Sequence, residues 1–347
     1  MSPTQASRQG CGHQAPLVSV VMPVYNGAKY LAESIKSILN QRLTDFEFII
    51  IDDGSTDESP QILQDFADRD PRIRLRIRSN RGISATLNES IQMSQGELVA
   101  RMDQDDVSHP DRLAEQCEFM QAHTEIVVLG SAVQFMDVAG NWICTYLPPE
   151  TDEVLREIFP DSPFIHPSVM IRKTALANSE MYPEAMKWGG EDVILFGRLS
   201  HRGGLHNLSK PLLSYRLVPG SMSRKPPAFR RMLTHVISEE ISGKTASPES
   251  LLILQREAGN IDKSQALYDY HLEIAKLYIW SGGSRASCFR HLRICMNVGR
   301  GRAKAFTMLL LALLPRGPVQ ALYLRLKGRR FLASTLPVST PTPGPAH

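Results

Sequence analysis

Several things are missing from this sequence, and each absence narrows the reading. Residues 1 to 16 hold no apolar run, so no secretory signal is expected there. Cysteine is scarce and odd in number. Cys11, Cys117, Cys144, Cys288 and Cys295 are spread along the chain with no C-x-x-C spacing. That spacing argues against a disulfide framework or a zinc site and for a reducing cytosol. No G-x-G-x-x-G follows the first apolar run, and no G-x-x-x-x-G-K-[ST] occurs anywhere. The first absence argues against a dinucleotide dehydrogenase, the second against a P-loop enzyme. Acidic residues stop at Glu273, while twelve Lys and Arg residues follow it. The first 273 residues thus hold 27 of the 39 basic residues against all 36 acidic ones, a balance of −9 hidden inside a net charge of +3. The two parts of the chain are built for different surroundings. The strongly apolar Lys304–Leu314 is too short to span a bilayer and is closed by Pro315, Arg316 and Pro318.

What is present suits a folded α/β protein, long enough at 347 residues for one large domain or two modest ones. Leu17–Val24 is an apolar run that breaks into a turn at Pro23-Val24-Tyr25-Asn26-Gly27. Leu31, Ile35, Ile38 and Leu39 then recur at helical spacing. Phe46–Ile51 reads as a second buried strand, ending in Asp52-Asp53-Gly54-Ser55, with a helix carrying Ile62, Leu63 and Phe66 after it. Ile73, Leu75 and Ile77 alternate with arginines, as in a strand near a sheet edge. A helix with Leu87 and Ile91 leads from Asn80-Arg81-Gly82 to a fourth strand, Leu98–Met102. Strand and helix in strict alternation imply a mainly parallel, Rossmann-like sheet flanked by helices.

Two acidic turns, Asp52-Asp53 and Asp103-Gln104-Asp105-Asp106, close strands of that sheet. Right-handed crossovers bring such strand ends to one edge, where ligands of open α/β sheets bind. Carboxylates this crowded repel unless a cation or donors compensate them, and oxygen ligands suit a hard divalent ion. Past the helix Arg112–His123 the pattern turns to β structure over 126–135 and 142–146. A short helix follows over 152–159, and a strand over 168–171 after Phe164-Ile165-His166-Pro167. Trp188-Gly189-Gly190-Glu191-Asp192 opens a helix, so its two carboxylates also suit a helix N-terminus. His166, before a proline, reads as a packed loop residue.

In order and spacing, these pieces resemble the family 2 glycosyltransferases, which have the GT-A fold. They are Val18–Asn26, Ile51–Asp57, Asn80-Arg81-Gly82 with Asn88, Ala100–Asp106 and Gly190-Glu191-Asp192. The resemblance covers residues 16 to 223. It implies that Pro23, Val24, Tyr25 and Asp53 hold the base and ribose of a nucleotide, with Arg81 a basic neighbour. It implies that Asp103 and Asp105 are a D-x-D pair, Asp105 the more direct ligand of Mg2+ or Mn2+ on the diphosphate. It also implies that Asp192 is the base of an inverting transfer, with Glu191 beside it orienting the loop or acceptor. The expected donor is a nucleotide sugar, with UDP as the nucleotide. The expected acceptor is a glycan or lipid-linked saccharide of the cell envelope, and nucleic acid is not an expected partner.

One position departs from that pattern. Members often carry a histidine shortly after a Tyr-Arg pair, where it can help hold the metal; this chain has Val218 after Tyr215-Arg216. The departure leaves open a nucleotide-sugar binding module without catalysis. A nucleotidyltransferase is the other alternative, but Pro23–Gly27 lacks the basic, glycine-rich phosphate loop such enzymes use. The expected division is a flexible start (1–15), a GT-A domain (16–223), a helical basic region (224–332) and a disordered Pro/Ser/Thr-rich tail (333–347). Residues 304–331 mix apolar positions with arginines and lysines, which suits peripheral contact with the inner face of a membrane.

Overall fold

The computed structural model describes residues 15–177, 179–186, 189–219, 227–244, 247–259, 263–281, 283–298, 301–319 and 321. The first half alternates strand and helix: β1 (Val18–Val24), α1 (Ala28–Leu39), β2 (Phe46–Asp52), α2 (Ser59–Ala67), β3 (Ile73–Ile77), α3 (Ile83–Met93) and β4 (Leu98–Arg101). β1 pairs in parallel with both β2 and β4, and β2 with β3, which lies at the edge as its arginines suggest. Every residue of β1, β2 and β4 is buried, as expected of central strands covered on both faces. Alternate residues face opposite ways. Val18, Val20, Met22 and Val24 pack with α1, α2 and α4 (Arg112–Ala122) on one side, while Val21, Ile49 and Ile51 pack with α3 on the other.

The second half departs from the mainly parallel expectation. β5 (Val107–Ser108), β6 (Ile126–Met136), β7 (Trp142–Tyr146), β8 (Met170–Arg172) and β9 (Gly204–Arg216) extend the sheet in the order β3-β2-β1-β4-β8-β6-β9-β5, with β7 on β6. β8 is antiparallel to both β4 and β6, β7 to β6 and β5 to β9, whereas β6 and β9 are parallel. The sheet is therefore mixed. Long β9 and two-residue β5 are not apparent in the sequence pattern. β9 carries Pro211 at a register shift against Ala132, and proline in a sheet is confined to edges and bulges. Between the strands lie α5 (Asp152–Ile158), a 3-10 turn at His166–Ser168, α6 (Lys173–Ala177) and α7 (Glu191–Ser200).

The C-terminal helices are α8 (Pro227–Ile241), α9 (Pro248–Gly259), α10 (Lys263–Ser281), α11 (Arg285–Asn297) and α12 (Arg302–Leu313). They do not share one separate core. Val236, Ile237 and Leu254 pack on Val193 and Ile194 of α7, while α10–α12 form a second cluster with Ile143 of β7 and Leu217. The expected flexible start, the tail beyond 332 and the basic residues from Arg325 to Arg330 lie outside the described residues. Among the described residues no helix is long and apolar enough to cross a membrane.

Candidate active site

The strand ends of the parallel half open into a cleft of about 720 Å³. It is lined by Pro23, Val24, Tyr25 and Asp53 from the ends of β1 and β2, Arg101, Asp103 and Asp105 from the end of β4, and Glu191 and Asp192 from the start of α7. The two acidic turns thus line one crevice, as their places in the sheet imply. Arg81 does not join them. Its guanidinium is half-exposed and 3.5 Å from Glu89, and what it gives the cleft is a backbone N–H donated to Asp53 Oδ1 at 2.8 Å. The basic side chain that does reach Asp53 is Arg78, which ion-pairs with that carboxylate and also bonds Glu89 and Thr86. Gly82 N–H donates to Asp53 Oδ2 at 2.8 Å, so Asp53 knits the entry of α3 to the end of β2. Asp52 is turned inward and accepts from Ser55 N–H and Oγ.

The second acidic turn is held differently. Gln104 reaches back to β1, its amide oxygen accepting from Tyr25 N–H at 2.8 Å and its NH2 donating to Tyr25 C=O at 3.1 Å. A Cβ at Gly27 would lie 2.4 Å from that amide oxygen, so a larger residue there would push the Gln104 side chain out of place. Arg216, at the end of β9, stitches the turn from the far side. Its N–H donates to Asp106 Oδ1 at 2.7 Å, its Nε donates to the Asp105 carbonyl at 2.9 Å, and its Nη2 pairs with Glu33 at 2.6 Å. Asp106 is buried, and its Oδ2 has no partner. Asp103 and Asp105 are left facing the cleft, and one carboxylate oxygen from each of Asp103, Asp105 and Asp106 lies within 4.8 Å of the others.

Arg101 also belongs to the site, and motif reading passes it over. It is the one charged residue in the buried strand Leu98–Arg101, 3% exposed, and it ion-pairs with Asp103 while lining the cleft. That single charge inside an apolar run is the signal that could have found it. Burial, then the Asp103 charge, pushes the Asp105 carboxyl up to about 7. The same two causes raise Asp106 well above the usual carboxylate range. Carboxylates so poised gain from a dication, and an all-oxygen cluster fits a hard one such as Mg2+ or Mn2+.

Gly189 and Gly190 give the turn before α7 the positive φ angles of 107° and 88° that it needs. A Cβ at Gly190 would also lie 2.8 Å from Ile237, so α8 packs directly against this turn. Glu191 is buried with Oε2 unpartnered, and burial, then the neighbouring Asp192, pushes its carboxyl up to about 8. Asp192 is less enclosed, and burial raises its carboxyl as well. His166 is packed as expected. Its Nε2 lies 2.7 Å from Tyr182 Oη, and burial holds it well below the usual imidazole range. Val218 lines the cleft as an apolar wall.

The family model described as Glycosyl transferase family 2 matches residues 19–179. EpsE of Bacillus subtilis, which carries the name of glycosyltransferase, is 33% identical over 210 residues, 59% of this chain and 74% of that protein. The uncharacterised glycosyltransferase MJ1057 of Methanocaldococcus jannaschii is 36% identical over 166 residues, 46% of this chain and 57% of its own length. The O-antigen biosynthesis glycosyltransferase WbnJ of Escherichia coli is 28% identical over 233 residues, covering 66% of this chain and 91% of WbnJ. Among solved structures, residues 1–349 of TarS from S. aureus with UDP-GlcNAc superpose with a TM-score of 0.53 at 19% identity, covering 89% of this chain and 91% of that one. The mannosyltransferase PcManGT of Pyrobaculum calidifontis with GDP-Man and Mn2+ gives 0.51 at 19% identity, covering 92% and 86%. These structures share the fold.

Proposed function

The chain belongs to glycosyltransferase family 2, and from that premise we propose an inverting transfer of a sugar from a nucleoside-diphosphate donor to a hydroxyl of a glycan or lipid-linked saccharide. The observation that carries this reading is that two carboxylate pairs from distant parts of the chain line one cleft. Asp103 and Asp105 project from the end of β4, and Glu191 and Asp192 from the start of α7.

Asp192 takes the proton of the acceptor hydroxyl as its oxygen bonds to the anomeric carbon. The bond from that carbon to the diphosphate breaks, and its electron pair leaves with the nucleotide. Burial makes Asp192 a stronger base than an exposed aspartate, which suits proton transfer near neutral pH. Asp103 and Asp105 would hold Mg2+ or Mn2+, which when bound offsets the charge gathering on the leaving diphosphate. Arg101 fixes Asp103, and Arg216 fixes the backbone of Asp105, so the carboxylates are oriented before any ligand arrives. A single displacement needs one base only, unlike glycoside hydrolysis with its two carboxylates. Pro23, Val24, Tyr25 and the Asp53 loop form the wall for the base and ribose.

UDP is the proposed nucleotide, supported by the UDP-GlcNAc in the TarS structure, and a cell-envelope polysaccharide is the proposed destination, supported by the name of WbnJ. The cytosol is the proposed site of the reaction, a reading supported by the scattered cysteines of the sequence. A panel of nucleotide sugars with Mg2+ or Mn2+, scored by slow donor hydrolysis, tests the reading without a known acceptor. Release of UDP is expected, and it should fall sharply in Asp105→Asn. Tight donor binding with no hydrolysis in any condition would favour a non-catalytic module. Release of pyrophosphate would favour a nucleotidyltransferase.

A further inference from the structure

α12 is apolar on nearly every side, but only one side is covered. Ala305 and Ala312 are buried in the cluster formed with α10 and α11, with Met308, Leu309 and Leu311 partly buried beside them. Phe306, Leu310, Leu313 and Leu314 stand 51%, 50%, 60% and 49% exposed. The i, i+4 and i+7 spacing of Phe306, Leu310 and Leu313 puts them on one face of the helix, and Leu314 follows at its extended C-cap. A helix apolar all round belongs in a core, so an uncovered face of this kind calls for an occupant.

The charges around the face identify that occupant. Exposed Arg302 and Lys304 lie in the first turn of α12. At the other end Arg285 donates to the Leu314 carbonyl at 2.8 Å and Arg316 to the Gly283 carbonyl at 3.0 Å, which ties both to the end of the stripe. No acidic residue occurs anywhere after Glu273. A second copy of this chain meeting the face through a two-fold axis would set cations against cations. The chain beyond residue 321 cannot supply the missing charge either, because it adds Arg325, Lys327, Arg329 and Arg330 and no acid.

We propose that the exposed face of α12 docks on the surface of an anionic lipid bilayer, with Phe306, Leu310, Leu313 and Leu314 entering the headgroup boundary and the flanking arginines and lysine meeting lipid phosphates. A helix lying in the interface uses this combination of apolar stripe and basic rim, and it needs no membrane-spanning length. The same helical cluster packs against Leu217, Phe135 and Tyr215, three residues of the cleft wall. The docking surface and the cleft therefore belong to one packed body, suited to an acceptor carried on a lipid.

Flotation of the full chain with vesicles tests the proposal and does not depend on catalysis. Pure phosphatidylcholine is compared with phosphatidylcholine containing phosphatidylglycerol, each at low and high salt. Binding to the phosphatidylglycerol vesicles at low salt is expected, weakened by salt and roughly five-fold weaker for each of Arg302→Gln and Lys304→Gln. Phe306→Ser with Leu310→Ser should abolish it while UDP binding and melting temperature stay unchanged. If the full chain fails to float with anionic vesicles at low salt, or the double variant floats as well as wild type, the proposal is overturned. A concentration-dependent dimer that the same double variant dissolves would also overturn it and assign the face to a second copy.

Discussion

The ends of β2 and β4 carry acidic turns that look alike in the chain and behave oppositely in the fold. At Asp52-Asp53 the carboxylate oxygens are met by donors: Ser55 for Asp52, and Arg78, Arg81 N–H and Gly82 N–H for Asp53. At Asp103–Asp106 one buried oxygen has no donor, and two carboxylates face open space with one buried guanidinium between them and the sheet. The first turn has spent its charge on holding a loop. The second keeps an electrostatic cost that a proton or a cation would relieve. The number of carboxylates does not separate the two turns; the buried oxygen left without a donor at Asp106 does.

Among the cleft carboxylates, the largest effect is expected at the start of α7. Asp192→Asn should lower sugar transfer by about 10²–10⁴-fold, the scale of general base catalysis, with donor affinity nearly intact. Turnover close to wild type would remove Asp192 from the mechanism. Glu191→Gln should cost less.

Asp53→Asn attacks the satisfied turn and should act through stability instead. Asp53 and Arg78 are 5% and 13% exposed, but Arg78 keeps its pair with Glu89, so the loss should be about 1–3 kcal/mol. Urea denaturation measures it. Unchanged stability with lost UDP binding would make the two turns alike after all.

A third prediction concerns pH. The Glu191 carboxyl is raised from 4.5 to about 8 in the folded protein, so the folded state holds a proton that the unfolded chain releases earlier. Stability should therefore fall as pH rises from about 4.5 towards 8. Glu191→Gln should flatten that part of the melting-temperature profile. An identical slope in both proteins would contradict the unpartnered burial of Glu191.

The smallest effect is expected from Arg81→Ala, since the side chain is half-exposed and its useful group is the backbone N–H. Stability should stay within about 0.5 kcal/mol and UDP affinity within error. A large loss of affinity by calorimetry would place the guanidinium on the nucleotide.

Much of this was legible because the parallel half obeys local rules. Apolar runs of eight residues or fewer, each closed by turn residues, marked β1, β2 and β4, and the strand ends put Asp53, Asp103 and Asp105 in one place. The second half was less legible for physical reasons. β6 and β9 pair across some seventy residues of intervening chain, and β9 is broken by Pro211 at a register shift, so neither alternation nor length announced it. The buried arginines were harder still. Arg78 sits among the alternating arginines of an edge strand, and nothing local separates it from Arg74 and Arg76, which pair with Glu47 and Glu89. Only the tertiary position of Asp53 singles it out.

Gln104 carries a consequence of its own. β1 and β4 stop pairing where the cleft begins, yet the amide of this side chain continues the ladder by one rung, accepting from and donating to the backbone of Tyr25. The residue between the two cleft carboxylates is thus the splint that joins them to the wall proposed for the nucleobase. On the proposed reading, the spacing between the nucleobase wall and the diphosphate carboxylates would depend on the length of one glutamine. A shorter asparagine at this position would leave every ligand in place and still put the ruler out of scale.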